Sequence, residues 1–231
     1  MKNDKTILVI NGASASEQAP NFISVVVKDQ IYYRLECEKK SFERGAPERF
    51  PIYFNEFVRN GYLVANKIDL ISIIIGPGSF TGLRASIAFS LGLQTGLHCP
   101  VVPLRRGEAI FPYIEKDYSG KLVWHMTMAR RNRVFIETNQ KSEIKAFDFV
   151  DIPWPEEEVI LSGEAFPIIE PLIPTKVNWR KSSINEANAV MMAKIADHYD
   201  QVDKVTNKLY PLYIDPPKAS LPAGGLRKAP K

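Results

Sequence analysis

The isoleucines Ile73, Ile74 and Ile75 run straight into Gly76-Pro77-Gly78, and the apolar pattern resumes at Leu83 with helical spacing. A β-branched run of this kind suits a buried strand. Pro77 fixes φ and removes an N–H donor, while the flanking glycines admit backbone angles that other residues avoid, so the strand must end there. Beyond the turn, Leu83, Ile87 and Leu91 share one helical face, and Ser79 or Thr81 stands where a cap of the first turn is needed. The spacing predicts strand, tight turn and helix, with backbone N–H groups gathered at the helix N-terminus.

Two readings of that turn stay open from the residues. Gly76, Pro77, Gly78, Ser79, Phe80, Thr81 and Gly82 form either a purely structural turn or an anion site of the kind helix N-termini provide. A phosphate-binding P-loop would need lysine after its last glycine, and Gly82 is followed by Leu83 and Arg84. Ser79, between Gly78 and Phe80, lacks the G-x-S-x-G frame of a hydrolase nucleophile.

The chain has 231 residues, enough for one large domain or two small ones, and its 45% hydrophobic and 24% charged content fits a folded globular protein. A formal net charge of +4 would tolerate a nucleic-acid neighbour without demanding one. The apolar run after Lys5 is too short for a secretory signal, and nothing approaches the roughly 20 apolar residues of a membrane helix. Cys37 and Cys99 lie far apart in apolar surroundings and read as reduced, buried thiols. A cytoplasmic protein is expected.

Strands are predicted over residues 6–10, 22–27 and 31–37, the last two joined by Lys28-Asp29-Gln30 as a hairpin, followed by a helix over 48–60 and the strand, turn and helix above. That order is α/β. A second set follows: a helix over 105–114, then strands over 121–128, 133–138 and 144–149. We therefore expect two related lobes, 1–104 and 105–215, of one duplicated fold. Prolines at 153, 155, 167, 171 and 174 imply short helices and turns. A last helix is predicted over 185–199, with Ala187, Val190, Met191, Ile195 and His198 on one side. Residues 216–231 hold too little apolar surface to fold alone and read as a flexible basic tail.

Catalytic chemistry is hard to assemble. His98, His125 and His198 are isolated, with no H-x-x-x-H pair, and neither cysteine sits in a motif that lowers a thiol pKa. Glu156, Glu157 and Glu158 read as a solvated turn. No catalytic, cofactor-binding or metal residue is predicted. Arg130, Arg131 and Arg133, with the tail lysines, suit a solvated surface or a contact to nucleic acid, whose signature would be affinity that falls steeply with salt. Two helices carry the informative surfaces. Phe50, Tyr53, Phe54 and Phe57 recur at helical spacing as an aromatic stripe, and Thr81, Ala85, Ala88 and Gly92 form a row of small residues beside Phe89. Each glycine inside a helix costs about 1 kcal/mol relative to alanine, so Gly92 and Gly96 call for a reason such as close approach of another backbone. The chain's own core and a partner helix are both open as that neighbour.

The segment from Gly76 to Arg84 resembles the G-x-G-S-F-T-G-[LV]-R signature of the TsaB family, also called YeaZ, a paralogue of TsaD/Kae1. Thr6-Ile7-Leu8-Val9-Ile10-Asn11-Gly12-Ala13-Ser14 resembles its opening I-L-A-I-D-T-S strand. Leu97-His98-Cys99-Pro100-Val101-Val102-Pro103-Leu104 resembles its return into a short strand. Ala129-Arg130-Arg131-Asn132-Arg133-Val134-Phe135 resembles A-R-[RM]-G-E-V-Y, and Pro211-Leu212-Tyr213-Ile214 resembles the P-x-Y-[LI] ending. The likeness is dense from residue 6 to about 104 and sparse beyond.

This resemblance implies an actin-like ATPase fold (ASKHA, ribonuclease H-like) in two lobes. It implies a noncatalytic scaffold and activator in bacterial tRNA modification to N6-threonylcarbamoyladenosine at A37. The active site would lie on TsaD, held through a helical bundle of the two helices above, with TsaE joining the assembly and tRNA met only indirectly. Phe50, Tyr53, Phe54, Phe57, Thr81, Ala85, Ala88, Phe89 and Gly92 would form the partner interface, a face that can also pair two copies. The chain departs from the family at several places. Asn11 replaces the first-strand aspartate, Ala46-Pro47-Glu48 replaces H-S-E, and Pro51 implies a late helix start. In the second lobe Asn132 replaces the usual glycine and Met128 the usual aspartate. The alternative is a nucleotide-dependent hydrolase or kinase of the same fold that uses the turn from 76 to 82 for phosphate.

Overall fold

The computed structural model describes residues 4–14, 20–36, 47–129, 132–141, 143–202 and 209–214. Strand β1 (Thr6–Asn11) is a continuous apolar run, and such a strand belongs where both faces of a sheet are covered. It pairs antiparallel with β2 (Phe22–Val27) on one side and parallel with β4 (Leu70–Gly76) on the other. With β3 (Gln30–Glu36) and β5 (Val101–Arg105) the sheet order is β3-β2-β1-β4-β5.

A second sheet repeats this plan. Strands β6 (Leu122–Met128), β7 (Arg133–Thr138), β8 (Ile144–Asp148), β9 (Val159–Ser162) and β10 (Trp179–Lys181) are ordered β10-β9-β6-β7-β8. In each sheet the first strand has two antiparallel neighbours in succession on one side and two parallel ones on the other. The chain is thus a duplicated, two-lobed actin-like fold.

Helices fill the layers. On one face of the first sheet, Leu8, Ile10, Ile71 and Ile73 pack with α1 (Phe50–Arg59) and α2 (Phe80–Leu97). The opposite face, with Ile7, Val9 and Ile74, packs with α3 (Phe111–Asp117) and α5 (Ala189–Gln201). Val123 and Ile160 of the second sheet join that same cluster, so the core continues from lobe to lobe. The far face of the second sheet packs Trp124, Met126 and Leu161 with Phe166 and Ile169 of α4 (Phe166–Ile169).

The expected strands are found with ends shifted by a residue at most, β2 and β7 without any shift. Other expectations need correction. The helix expected from 105 is instead the end of β5 and a turn, with the Ile110 N–H donating to the Gly107 carbonyl at 2.9 Å, and α3 starts at Phe111. Pro112 fits its first turn, where no N–H is needed. α5 starts at Ala189 because the Asn188 side chain caps it, Oδ1 accepting from the Met191 N–H at 2.9 Å. The proline-rich stretch holds strand β9, which proline content alone concealed, and the short strand β10 follows it. The hairpin turn is only Lys28-Asp29, both at positive φ (53° and 59°), the two-residue geometry whose twist matches paired strands. Cys99 is buried, and burial pushes its thiol pKa up. Cys37 and the tail from 216 lie outside the described residues.

Candidate partner face and interlobe cleft

The glycine turn is built against its own chain. A Cβ on Gly78 would sit 2.1 Å from the Ala13 carbonyl oxygen, and one on Gly82 would sit 2.2 Å from the Gly12 carbonyl oxygen. Both positions therefore need glycine so that the start of α2 can touch the segment leaving β1. The Ser79 N–H donates to that Ala13 oxygen at 2.8 Å, and the Gly82 N–H donates to Ser79 Oγ at 3.3 Å. These amides are used internally, which favours the structural reading of the turn over an anion site.

On the helices, Phe50, Tyr53 and Phe57 are buried in the first-lobe core, so three of the four stripe aromatics face inward and are unavailable to a partner. Periodicity identified their common face but could not say what covers it. Phe54 and Phe89 meet at the seam of α1 and α2, ring centroids 5.9 Å apart, and stay half-buried. The small row faces outward: Thr81, Ala88 and Gly92 are exposed and Ala85 is half-buried. A Cβ at Gly92 or Gly96 would meet nothing within 4 Å. The small row thus does not pack on the chain's own sheet. Ile52 and Val58 of α1 are also exposed.

Between the lobes lies a polar cluster that sequence reading missed, since Arg106, Glu164 and Glu186 look like ordinary surface residues in one dimension. The Arg106 guanidinium is buried and donates through Nη1 to Glu164 Oε1 at 2.7 Å and through Nη2 to Glu186 Oε1. Glu164 Oε2 in turn accepts from the Ser14 hydroxyl at 3.3 Å. Ser14 follows β1 of the first lobe and Glu164 follows β9 of the second, so this chain of bonds ties the two lobes across their cleft. Asn11, at the matching place of the family's aspartate, is buried, and its Oδ1 accepts from the Ala13 N–H at 3.1 Å. The amide shapes the turn and contributes no charge to a cation.

The inner face of β6 adds His125 and Thr127, both buried. His125 lies 3.5 Å from Ser162 Oγ, and its pKa is lowered by burial and by the Arg106 charge. Glu137 is buried on β7, and its carboxyl is pushed up to about 7, chiefly by burial. Its Oε2 accepts from the Gly107 N–H at 2.8 Å, while Arg105 Nε stands 3.3 Å from Oε1.

His98 ends α2 in a left-handed conformation, and His198 lies on α5. Among the described residues no group of three or more His, Cys, Asp or Glu is arranged to hold a metal ion, and no helix is long and apolar enough to cross a membrane. Glu158 is ion-paired with Lys121 and Arg180, both at 2.7 Å. Arg133 pairs with Asp148 at 2.9 Å, and Arg130 and Arg131 lie outside the described residues.

Two motifs that are far apart in sequence meet at the surface. Arg84, the last residue of the glycine signature, donates through Nε to the Tyr213 hydroxyl at 2.8 Å, and its guanidinium lies 3.7 Å from the Phe80 ring centroid.

Comparison with known proteins agrees with this architecture. The family model described as TsaD, tRNA N6-adenosine threonylcarbamoyltransferase, matches residues 47–147. The tRNA threonylcarbamoyladenosine biosynthesis protein TsaB of Haemophilus influenzae is 26% identical over 104 residues, which is 45% of this chain and 44% of that protein. The match thus spans less than half the length of that curated relative. Among solved structures, a Pseudomonas aeruginosa protein with similarity to the peptidase YeaZ superposes with a TM-score of 0.69 at 16% identity, covering 91% of this chain and all of its own. YeaZ from Pseudomonas aeruginosa gives a TM-score of 0.66 at 16% identity, covering 90% of this chain and 99% of that one. The structures establish the shared fold, and the TsaB sequence match and the TsaD-type segment are likenesses that each cover less than half of the chain.

Proposed function

We propose that this chain is a noncatalytic scaffold and activator subunit in the formation of N6-threonylcarbamoyladenosine at A37 of tRNA, working by binding a TsaD-type subunit that carries the active site. The observation that carries the reading is the outward row of Thr81, Ala85, Ala88 and Gly92 on α2. A helix interior keeps glycine at a cost of about 1 kcal/mol each, and open space at Gly92 and Gly96 leaves no reason for it inside this chain. Small residues let a second helix approach closely, and Phe54 and Phe89 offer apolar flanks at the seam. The same face would serve pairing of two copies.

The interlobe cleft supports the noncatalytic part. Where an actin-like ATPase holds nucleotide, this chain has Asn11 closing a turn, and a buried Arg106, Glu164 and Ser14 linkage between the lobes. In the turn from 76 to 82, on which the hydrolase or kinase alternative depended, the Ser79 and Gly82 amides are spent on the Ala13 carbonyl and the Ser79 hydroxyl. In this reading the protein supplies a rigid two-lobed body with one helical face, TsaE joins the assembly, and threonylcarbamoyl transfer takes place on the partner.

Co-purification with the cognate TsaD tests the reading. A stable complex is expected, and reconstituted tRNA modification from TsaD, TsaE and threonylcarbamoyl-adenylate should depend on adding this chain. Failure to associate under reducing, low-salt conditions would overturn it, as would ATP turnover by the isolated chain.

A further inference from the structure

The second lobe carries a groove of about 460 Å³ that plays no part in the partner face or the interlobe cleft. One lining segment runs from Phe149 to Trp154 and the other from Leu172 to Lys176. Ile152, 6% exposed, belongs to the second-lobe core, so the groove reaches down to packed side chains. Trp154 is backed by the buried Trp124, ring centroids 5.7 Å apart and planes 24° from parallel. Backbone bonds hold both segments. The Phe149 N–H donates to the Asn132 carbonyl and the Trp154 N–H to the Ile152 carbonyl, each at 2.9 Å, and the Val177 N–H donates to the Pro174 carbonyl at 3.0 Å. The lining is thus fixed before anything binds, which spares a ligand the cost of ordering it.

Size, ring chemistry and charge together select the occupant. The volume falls in the range of about 300–1,000 Å³ usual for small-molecule sites, whereas a stable protein partner would need about 800 Å² of surface on this side. Val150, 91% exposed, and Leu172, 50% exposed, leave apolar surface open to water at the groove, where a ligand would cover it. The rings of Trp154 and Phe149 favour a flat ring system that can stack at an offset. Among the described residues that line the groove, Lys176 alone is charged, and no ion pair holds it. The acids Asp148 and Glu158 are spent elsewhere, on Arg133 and on Lys121 and Arg180. Asp151 and Glu170 belong to neighbouring positions but not to the lining. The charge that the groove itself presents is therefore positive, which complements a carboxylate. We propose that this groove is a binding site for a small, flat, apolar carboxylate, its rings against Trp154 and Phe149 and its charge at Lys176.

The test uses the full chain and four probes. Three share one ring system, 2-naphthoate, 2-naphthamide and 2-naphthylmethylammonium; the fourth, decanoate, has similar apolar bulk and no ring. Saturation-transfer NMR titrations should rank naphthoate first, with a dissociation constant of about 1 mM or tighter, the scale set by so small a ligand. Naphthamide should bind about threefold more weakly, the worth of one exposed ion pair, and the ammonium and decanoate should also fall below naphthoate. Lys176→Gln should erase the preference for naphthoate over naphthamide, and Val150→Asp should weaken naphthoate by placing a like charge beside it. Both side chains are exposed, so an unchanged melting temperature will separate lost contact from lost fold. The backbone amides whose NMR shifts move with naphthoate should lie in 149–154 and 172–177.

Equal affinity for all four probes, no saturable binding at about ten times that concentration, or shifts confined to other segments would overturn the site. So would a Lys176→Gln variant that keeps the preference for naphthoate, or tighter binding of the ammonium or of decanoate. TsaD association is measured alongside and should be the same for the parent, Lys176→Gln and Val150→Asp, because the proposed partner face lies on α1 and α2. Its loss in these variants alone would make the groove a protein-docking surface and overturn the small-ligand reading.

Discussion

Replacing Gly92 by alanine should make the isolated chain more stable. Gly92 is an interior residue of α2, with helical neighbours on both sides and no positive φ. An added Cβ meets no heavy atom within 4 Å, so no packing penalty opposes the change. What remains is the difference in helix propensity, about 0.8–1 kcal/mol in favour of alanine. For a chain of this size that corresponds to a melting temperature raised by roughly 2–4 °C. Thermal unfolding followed by circular dichroism, repeated at several protein concentrations, measures it directly. Gly92→Leu should likewise leave the monomer folded, because its side chain enters the same open space, yet it should abolish co-purification with TsaD by holding the partner helix away. A destabilised Gly92→Ala monomer would mean that something already packs there, and normal partner binding by Gly92→Leu would remove the small-residue row from the interface. Either result defeats the reasoning from unexplained helical glycine to docking surface.

Three other outcomes follow from particular contacts. Arg106→Met strands Glu164 and Glu186 without their cation and should cost about 3–5 kcal/mol, read by chemical denaturation. Gly78→Ala forces a Cβ into the Ala13 carbonyl and should lower stability by about 1–3 kcal/mol or more, measured in the same way. Glu137 has a folded pKa of about 7 against an ordinary value of 4.5, so the native state binds the extra proton between those values. Its contribution is therefore fully present below pH 4.5, declines as pH rises to about 7 and is flat above. Glu137→Gln keeps an acceptor for the Gly107 N–H, and its stability relative to the parent should rise by about 3 kcal/mol between pH 4.5 and 8. Parallel pH profiles of the two proteins would expose an error if they stayed parallel.

Much of the fold was legible because its signals are local. Alternation and β-branching marked β1, β2, β4, β6 and β7, and Gly-Pro-Gly marked the step from β4 into α2. The repeat of one topological plan could be suspected from two similar runs of elements, though β9 and β10 escaped notice, being only four and three residues long, β9 among prolines and β10 just after them. The helix expected from residue 105 failed because amphipathic spacing ignores the turn that Gly107 allows so close to Glu137.

The candidate site divided along the same line. Local pattern was enough to single out α1 and α2, their stripe of aromatics and their row of small residues, since 3.6-residue periodicity depends only on near neighbours. Which side of each helix meets the core was decided by the sheet, which took Phe50, Tyr53 and Phe57 inside and left Thr81, Ala88 and Gly92 out. The same holds for Arg106 between two carboxylates 58 and 80 residues away, and for Arg84 reaching Tyr213 across 129 residues. A buried charge is tolerable only where opposite charges converge on it, and that convergence is a property of chain closure that no stretch of sequence carries alone.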